Sequence, residues 1–174
     1  MGMDVVGKKP STKEGEYFRN NLWWWRPLWD YCAVIGEDII DKSVWESGHY
    51  NDGAGLDAED ALALGLRLMQ EIESGRTAEY EAEYRTELAE LPMEQCDLCA
   101  GTGIRTDKVG REMGMHDKAL EDEVATVVGR LHGWCNGCRG YGKKENWATH
   151  YPFQVSNVKE FAIFLMGSGG FSIF

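Results

Sequence analysis

Two copies of one cysteine- and glycine-rich pattern are the residues of this chain best suited to chemistry. Residues 96–103 read Cys-Asp-Leu-Cys-Ala-Gly-Thr-Gly and residues 135–142 read Cys-Asn-Gly-Cys-Arg-Gly-Tyr-Gly, so both follow C-x-x-C-x-G-x-G. A two-residue gap lets both thiolates of one copy reach the same ion. The sequence therefore predicts one structural Zn²⁺ ion. Its four predicted ligands are Cys96, Cys99, Cys135 and Cys138.

Four sulfur ligands leave no open position on the ion for water or a substrate, which favours a structural over a catalytic role. A redox-active dithiol is the usual alternative for a lone C-x-x-C, but two matched copies favour metal binding. His116 and His132 are less favoured as ligands, because four cysteines already complete the shell. The glycines suit a turn that points backbone N–H groups at the sulfurs, since glycine reaches positive φ easily.

These two octets resemble the repeats of the cysteine-rich zinc domain of DnaJ (Hsp40) co-chaperones, with every Cys and Gly of the motif matched. The resemblance covers the octets alone. The co-chaperone domain has four repeats and two zinc ions, so two repeats imply one zinc here. The J-domain tripeptide His-Pro-Asp does not occur, and recruitment of an Hsp70 is not implied. Paired octets of this kind also resemble small one-zinc proteins of the anti-TRAP type, which act by binding another protein.

A second resemblance concerns the start of the chain. Residues 1–8 and 15–28, which include the run Trp-Trp-Trp-Arg-Pro-Leu, are similar to the beginnings of uncharacterised phage and prophage proteins. This similarity implies a phage-type origin, and with it the cytoplasm of a host cell as the place of action. It implies no activity.

Composition limits the class of protein. The chain has 174 residues, of which 43% are hydrophobic, and this argues for a folded protein. Its 29 acidic and 18 basic residues give a net charge of −11. Residues 57–95 hold eleven acidic and three basic side chains, whereas residues 96–145 hold eight of each. An acidic chain is a poor general binder of nucleic acid, because phosphate contacts need clustered Lys and Arg.

Cysteine use indicates a reducing cytoplasm. Four of the five cysteines belong to the octets, and Cys32 lies among apolar residues, as expected of a small buried hydrophobe. The first ten residues lack the apolar run of a signal peptide. No run of about 18 apolar residues is present, so we expect no membrane-spanning segment.

Periodicity predicts an α+β fold: a mainly helical body with a few short strands and an inserted single-zinc module. Residues 1–92 and 146–174 are predicted to form the body, and residues 93–145 the inserted module, with a helical insertion at 104–134. Further predictions are a strand at 3–6 that pairs with a last strand at 171–174, and a loop at 47–55.

Several helices are predicted from apolar spacing and caps. One begins near Pro27, one runs from the N-cap Asp57 to Gly75, and one opens at Thr77. The link between the last two is short, which favours an antiparallel hairpin. The second helix is expected to bury Ala61, Leu62, Gly65, Leu66, Met69 and Ile72. Two more helices are predicted after the N-cap Ser156 and over residues 117–131.

Two surfaces are candidates for binding a protein partner. Three consecutive Trp side chains cannot all face one core, so at least one of Trp23, Trp24 and Trp25 is expected at a surface. The helix after Thr77 carries a glutamate row that can meet a basic partner. Its members are Glu79, Glu83 and Glu87.

The leading hypothesis is a non-enzymatic, zinc-stabilised protein that binds and modulates another protein, such as a phage accessory or anti-defence factor.

Two alternatives remain open at this point. The first is a nucleic-acid-binding zinc finger, whose contacts are Arg105, Lys108, Arg111, Arg139, Lys143 and Lys144, with an aromatic ring to stack a base. The second is an enzyme with its site near His49, for which Asp52 is a possible partner in the same loop. The oligomeric state and the identity of the partner do not follow from the sequence.

Overall fold

The computed structural model describes residues 2–174 and has a mainly helical α+β fold. The helices are α1 Leu22–Ile35, α2 Lys42–Ser47, α3 Ala58–Glu73, α4 Arg76–Glu90, α5 Lys108–Glu112, α6 Asp122–Val128 and α7 Val155–Ser168. The strands are β1 Gly2–Gly7, β2 Tyr17–Asn21, β3 Glu94–Gln95, β4 Lys143–Lys144 and β5 Phe171–Ile173. Short 3-10 turns occupy Asp97–Cys99 and Trp147–His150.

The chain divides into two compact units. The larger unit contains residues 2–89 and 150–174, and the smaller unit contains residues 90–149. The predicted body and module have boundaries that lie close to these, at 92/93 and 145/146. None of the helices described for residues 2–174 has the length and apolar character needed to cross a membrane.

A three-stranded antiparallel sheet of order β2-β1-β5 joins the two ends of the larger unit. The predicted pairing of the first and last strands is confirmed, with Val5 opposite Ile173 and Gly7 opposite Phe171. Val5, Phe171 and Ile173 are all fully buried, so both terminal strands contribute to the core. Strand β2 was not predicted, because its sequence Tyr-Phe-Arg-Asn-Asn lacks a regular apolar alternation.

Helix α1 begins at Leu22, five residues before the predicted start at Pro27. The side chain of Asn21 caps it by accepting hydrogen bonds from the backbone N–H groups of Trp23 and Trp24, at 3.0 and 3.1 Å. Pro27 therefore lies inside the helix. The cap determines the start because it satisfies N–H groups that would otherwise have no partner.

The core of the larger unit is rich in aromatic rings. Trp25 and Trp29 are stacked at 5.5 Å, and Phe161 and Phe171 of the C-terminal segment meet them edge to face. The indole N–H of Trp25 donates to the carbonyl of Gly48 at 2.8 Å. The buried indole N–H group is thereby satisfied, which lets the ring lie in the apolar interior.

Helix α3 has the predicted N-cap Asp57 and ends at Glu73, followed by the C-cap Ser74 and by Gly75 at a φ of +86°. Its buried residues are Ala61, Leu64, Gly65 and Leu68. The predicted stripe is wrong at Leu62 and Leu66, which are 44% and 55% exposed. The face turned inward is the one that packs on α7, where Gly65 lets the helices approach: a Cβ there would lie 3.1 Å from the carbonyl oxygen of Ala162.

Helix α4 packs through its tyrosines. The rings of Tyr80 and Tyr84 contact Phe153, and Tyr80 also contacts Tyr31 of α1. Helices α3 and α4 share few close backbone contacts. Of the two partners predicted for the apolar stripe of α4, the other helix of the hairpin or the Trp-rich segment, its ring contacts include Tyr31 on the Trp-rich helix α1. Helix α7 begins at Val155 with Gln154 as its N-cap, two residues earlier than the predicted cap Ser156.

The smaller unit has two short helices between its cysteine octets. The predicted helix over 117–131 is wrong in extent, because α6 covers only Asp122–Val128. Gly129, at a φ of +69°, ends it in the left-handed region. The flanking segments pair with each other instead, and the N–H of Leu120 donates to the carbonyl of Leu131 at 2.9 Å.

Candidate metal centre

Strands β3 and β4 bring the two octets together. They pair antiparallel, with Gln95 opposite Lys143, so the residue after β3 lies beside the residue before β4. The backbone N–H of Cys96 donates to the carbonyl of Gly142 at 3.0 Å. The ladder thus continues into both cysteine turns and aligns the start of one octet with the end of the other.

The four predicted ligands form one buried cluster. Their sulfur atoms all lie within 4.8 Å of one another. Two of the pairs that join the octets are Cys96 Sγ and Cys135 Sγ, at 3.9 Å, and Cys99 Sγ and Cys138 Sγ, at 3.7 Å. All five cysteines of the chain are free of disulfide bonds, and Cys32 is buried in the core of the larger unit, as predicted. Four sulfurs at this spacing can bind one metal ion.

The two octets have the same backbone conformation. After each second cysteine, the next residue adopts a left-handed conformation: Ala100 has a φ of 48° and Arg139 a φ of 51°. The turn then directs an N–H group at the sulfur, from Gly103 to Cys99 and from Gly142 to Cys138, at 3.2 Å in both cases. Such N–H donors stabilise thiolate charge, as expected around a metal-bound sulfur.

Gly103 and Gly142 are also required by the contact between the octets. A Cβ on Gly103 would lie closer than 3.0 Å to the carbonyl oxygen of Gly140, and a Cβ on Gly142 would meet that of Gly101 in the same way. Both glycines have positive φ, at 75° and 78°. The absence of a side chain therefore allows each octet to pack its backbone on the other, which holds the two pairs of sulfurs at a short separation.

Burial controls the acidity of the thiols. It raises the pKa of Cys135, and it raises the pKa of Cys138 to about 12. Burial also opposes ionisation of Cys99, but hydrogen bonds from the Gly103 N–H and the neighbouring thiols outweigh it and lower the pKa of Cys99. Without an ion, Cys135 and Cys138 therefore keep their protons at neutral pH. Metal binding must displace those protons.

Arg130 supplies a positive charge beside the cluster that the sequence did not indicate. Its Nη2 donates to the carbonyl of Gly140 at 2.8 Å and to that of Gly133 at 3.3 Å. Its Nε is buried and has no hydrogen-bond partner in residues 2–174, and no carboxylate in that range lies within ion-pair distance. A divalent metal ion with four thiolates carries a net charge of −2, and this guanidinium can offset one of the two negative charges.

The six basic residues considered for nucleic-acid contact are mostly engaged within the unit. Three form ion pairs, Arg105 with Asp107 at 2.9 Å, Lys144 with Asp97 at 2.8 Å, and Lys108 with Glu112 at 3.9 Å. Arg111 donates to the carbonyl of Thr106. Arg139 and Lys143 are exposed.

The tryptophans considered for partner contact are placed differently from one another. Trp25 is fully buried and is inaccessible to a partner, because α1 turns it into the core. Trp23 and Trp24 are partly buried, and the ring of Trp23 contacts Tyr151 at 5.0 Å. Only part of each of these two rings is accessible to solvent.

The glutamates Glu79, Glu83 and Glu87 are all exposed on α4. None of them forms an ion pair with another residue of the described chain. Glu81 is different, since it is partly buried and pairs with Arg85. The row therefore presents uncompensated negative charge on one helix.

His49 and Asp52, the pair considered for catalysis, form no hydrogen bond or ion pair with each other and have separate partners. Asp52 accepts a hydrogen bond from the backbone N–H of Ala54 at 3.2 Å and stabilises the loop. His49 instead has its Nε2 3.2 Å from Asp30 Oδ1. Asp30 lies on α1, distant in sequence, and no local motif marks it as a partner.

Comparison with known proteins found no family model, no curated protein and no solved structure that matches this chain.

Proposed function

We propose that the four-cysteine cluster holds one Zn²⁺ ion in a structural role, in a module of the DnaJ type. This proposal rests on the spacing of the four sulfur atoms. A tetrahedral ion with Zn–S bonds of about 2.3 Å requires sulfurs about 3.8 Å apart. Two pairs that join the octets lie at 3.9 and 3.7 Å, and all four sulfurs lie within 4.8 Å of one another. Four sulfur ligands also suit iron, so the identity of the metal needs a direct measurement.

Metal analysis of the purified protein tests this proposal. We expect one zinc per chain, and loss of zinc in Cys96→Ser and Cys135→Ser. Cys32→Ala is the matched control, because Cys32 is buried in the other unit and should leave the zinc content unchanged. A coloured protein containing iron, or zinc retained in both octet variants, would contradict the proposal.

We further propose that the protein is non-enzymatic and acts by binding another protein through the glutamate row of α4. The support is the exposure of Glu79, Glu83 and Glu87 and the lack of ion pairs at these side chains in the described chain. Unpaired surface charge of one sign favours a partner with a basic surface. In a phage-encoded protein, that partner would be a protein of the host.

The test is affinity capture from the native host with a charge-reversed variant, Glu79→Lys combined with Glu83→Lys and Glu87→Lys. Its control reverses three acidic residues of the smaller unit that are also exposed, at Glu121, Asp122 and Glu123. The partner should be lost with the α4 variant and kept with the control. Equal capture by both variants excludes the α4 row, and capture of nucleic acid rather than protein at low salt would favour the nucleic-acid alternative.

A further inference from the structure

The two edges of the three-stranded sheet differ in their hydrogen bonding. On the β5 edge, the backbone N–H of Phe171 donates to the carbonyl of Leu56 at 3.0 Å. The N–H of Ile173 donates to the carbonyl of Ala54 at 2.7 Å. The loop before α3 therefore covers that edge. The opposite edge is strand β2, which pairs with β1 alone among the described strands.

The alternation of backbone groups along β2 determines which of them face outward. Successive residues of an antiparallel strand direct their N–H and C=O groups to opposite sides. The N–H of Gly7 in β1 donates to the carbonyl of Glu16 at 3.0 Å, so Glu16 faces β1, and so does Phe18. Tyr17 and Arg19 therefore direct their N–H and C=O groups away from the sheet. Within residues 2–174, no hydrogen bond reaches these four groups.

This outer edge is open to a further strand. Natural sheets protect an open edge with proline, a bulge or a covering segment, because its free N–H and C=O groups pair readily with other chains. Strand β2 has the sequence Tyr-Phe-Arg-Asn-Asn and pairs with β1 residue by residue, without a bulge. Tyr17 is 49% exposed, and the side chain of Arg19 is 66% exposed.

A second copy of β2 fits the edge in one antiparallel register. When Tyr17 lies opposite the partner's Arg19, and Arg19 opposite the partner's Tyr17, four hydrogen bonds satisfy the outward N–H and C=O groups of both residues in both chains. Phe18 then lies opposite its own copy at the two-fold axis. A slide of two residues in one direction places the two Arg19 side chains opposite each other. The same slide in the other direction places Arg19 opposite Gly15, which lies outside the strand.

The side chains are compatible with this register. Arg19 already has a counter-ion in its own chain, since its Nε lies 3.6 Å from Asp4 Oδ1. The Tyr17 hydroxyl donates to the same carboxylate. Pairing places the ring of Tyr17 beside the partner's guanidinium, which is a favourable cross-strand pair. The remaining charged side chain, Glu16, lies opposite the neutral Asn20, so no like charges meet directly.

We propose that the chain forms a two-fold symmetric dimer in which β2 pairs with β2 of a second copy, so that the two sheets join into one sheet of six strands. A strand of five residues offers a small contact, and such contacts are typical of weak, reversible association. The proposal depends neither on the metal centre nor on the glutamate row of α4.

Analytical ultracentrifugation of the full chain tests the proposal, at protein concentrations up to about 1 mM, which covers weak association. Each chain carries a net charge of −11, which opposes association at low ionic strength. The measurement is therefore made at about 0.15 M salt, where charges more than about 8 Å apart are screened. We expect a reversible equilibrium between monomer and dimer. A chain that stays monomeric over this whole range would overturn the proposal.

Two substitutions at one position distinguish β2 pairing from other contacts. Tyr17→Pro removes an outward N–H and retains the ladder to β1, since proline is tolerated at the first residue of an edge strand. Tyr17→Thr removes the same ring but keeps the N–H. Because the two-fold axis doubles each change, Tyr17→Pro should dimerise about tenfold or more weakly than Tyr17→Thr. Thermal unfolding shows whether each variant is folded, and equal dimerisation by the two folded variants excludes pairing through β2.

Amide hydrogen exchange in the unaltered chain gives a second measurement that needs no variant. The amides of Tyr17 and Arg19 should be protected in the dimer and exchange rapidly after dilution. The amide of Phe18, which faces β1, should be protected in both states. A dimer in which Tyr17 and Arg19 exchange rapidly associates through another surface. A monomer in which these two amides gain protection only after another protein is added pairs with a different strand, and either result contradicts self-pairing.

Discussion

Addition of a single methyl group at Gly103 tests the structural account of the metal centre most directly. Gly103→Ala has two consequences. Alanine at a φ of +75° is strained, at a cost of about 1–2 kcal/mol. Its Cβ also meets the carbonyl oxygen of Gly140 in the other octet and Nη2 of Arg130, so the octets must separate and the Arg130 side chain must move. Overpacking of this kind costs about 1–3 kcal/mol more.

Gly129→Ala separates the two effects. Gly129 has a similar φ of +69°, but a Cβ there has no atom within 4 Å. It should therefore show the backbone strain alone. Because separated octets move the sulfurs apart, the additional cost in Gly103→Ala should appear as weaker metal binding. A loss of about 1–3 kcal/mol corresponds to roughly a 5- to 150-fold lower affinity.

Competition for the metal with a chelator of known affinity measures this difference, and thermal unfolding measures the shared strain. Gly142→Ala isolates the contact between the octets, since its Cβ meets the carbonyl oxygen of Gly101 in the equivalent place but does not meet Arg130, and it should also weaken metal binding. If Gly103→Ala binds metal as tightly as Gly129→Ala, the contact between the octets does not determine the separation of the sulfurs.

Further changes test other parts of the structure. Arg130→Met should lower metal affinity by several fold, whereas Arg139→Gln, at an exposed position, should change it little; chelator competition measures both. Gly65→Ala should destabilise the larger unit by about 1–3 kcal/mol in denaturant unfolding, because its Cβ would lie 2.9 Å from Met166 Cγ. Apparent metal affinity should rise with pH between about 6 and 8, since burial raises the pKa values of Cys135 and Cys138 and binding displaces their protons; a pH-independent affinity would contradict this.

The metal ligands were predictable because their signal is local. Spacing within each octet places two sulfurs together, and only the pairing of the octets requires the fold. The same holds for Asp57 and Gly75, which act on the nearest helical turn. The pairing of residues 3–6 with residues 171–174 was predictable for a different reason. Both segments are apolar, so each is expected to pack against the rest of the fold rather than remain exposed to solvent.

Features that depend on distant residues were not predictable. Leu62 and Leu66 fit the helical period as well as Leu64 and Leu68 do, and only the position of α7 decides which face is buried. Asp30 contacts His49, which is distant in sequence. Arg130 donates to the backbone carbonyls of Gly133 and Gly140. Neither Asp30 nor Arg130 belongs to a recognisable sequence pattern. The predicted start of α1 is wrong because proline favours the first turn of a helix, so Pro27 indicated a later start. The N-cap Asn21 has no feature in the sequence that distinguishes it from a loop residue.

The smaller unit has little apolar core of its own. Besides the four cysteines, its buried apolar side chains are Met115, Leu120 and Val124, for 60 residues. Units with so few buried side chains commonly depend on a metal or on disulfides for stability. Removal of the metal should therefore increase amide hydrogen exchange throughout residues 90–149, while residues 2–89 and 150–174, which contain the aromatic core, keep their protection. A partner that binds the glutamate row of α4 should still be captured after metal removal, whereas a partner that binds the smaller unit should be lost.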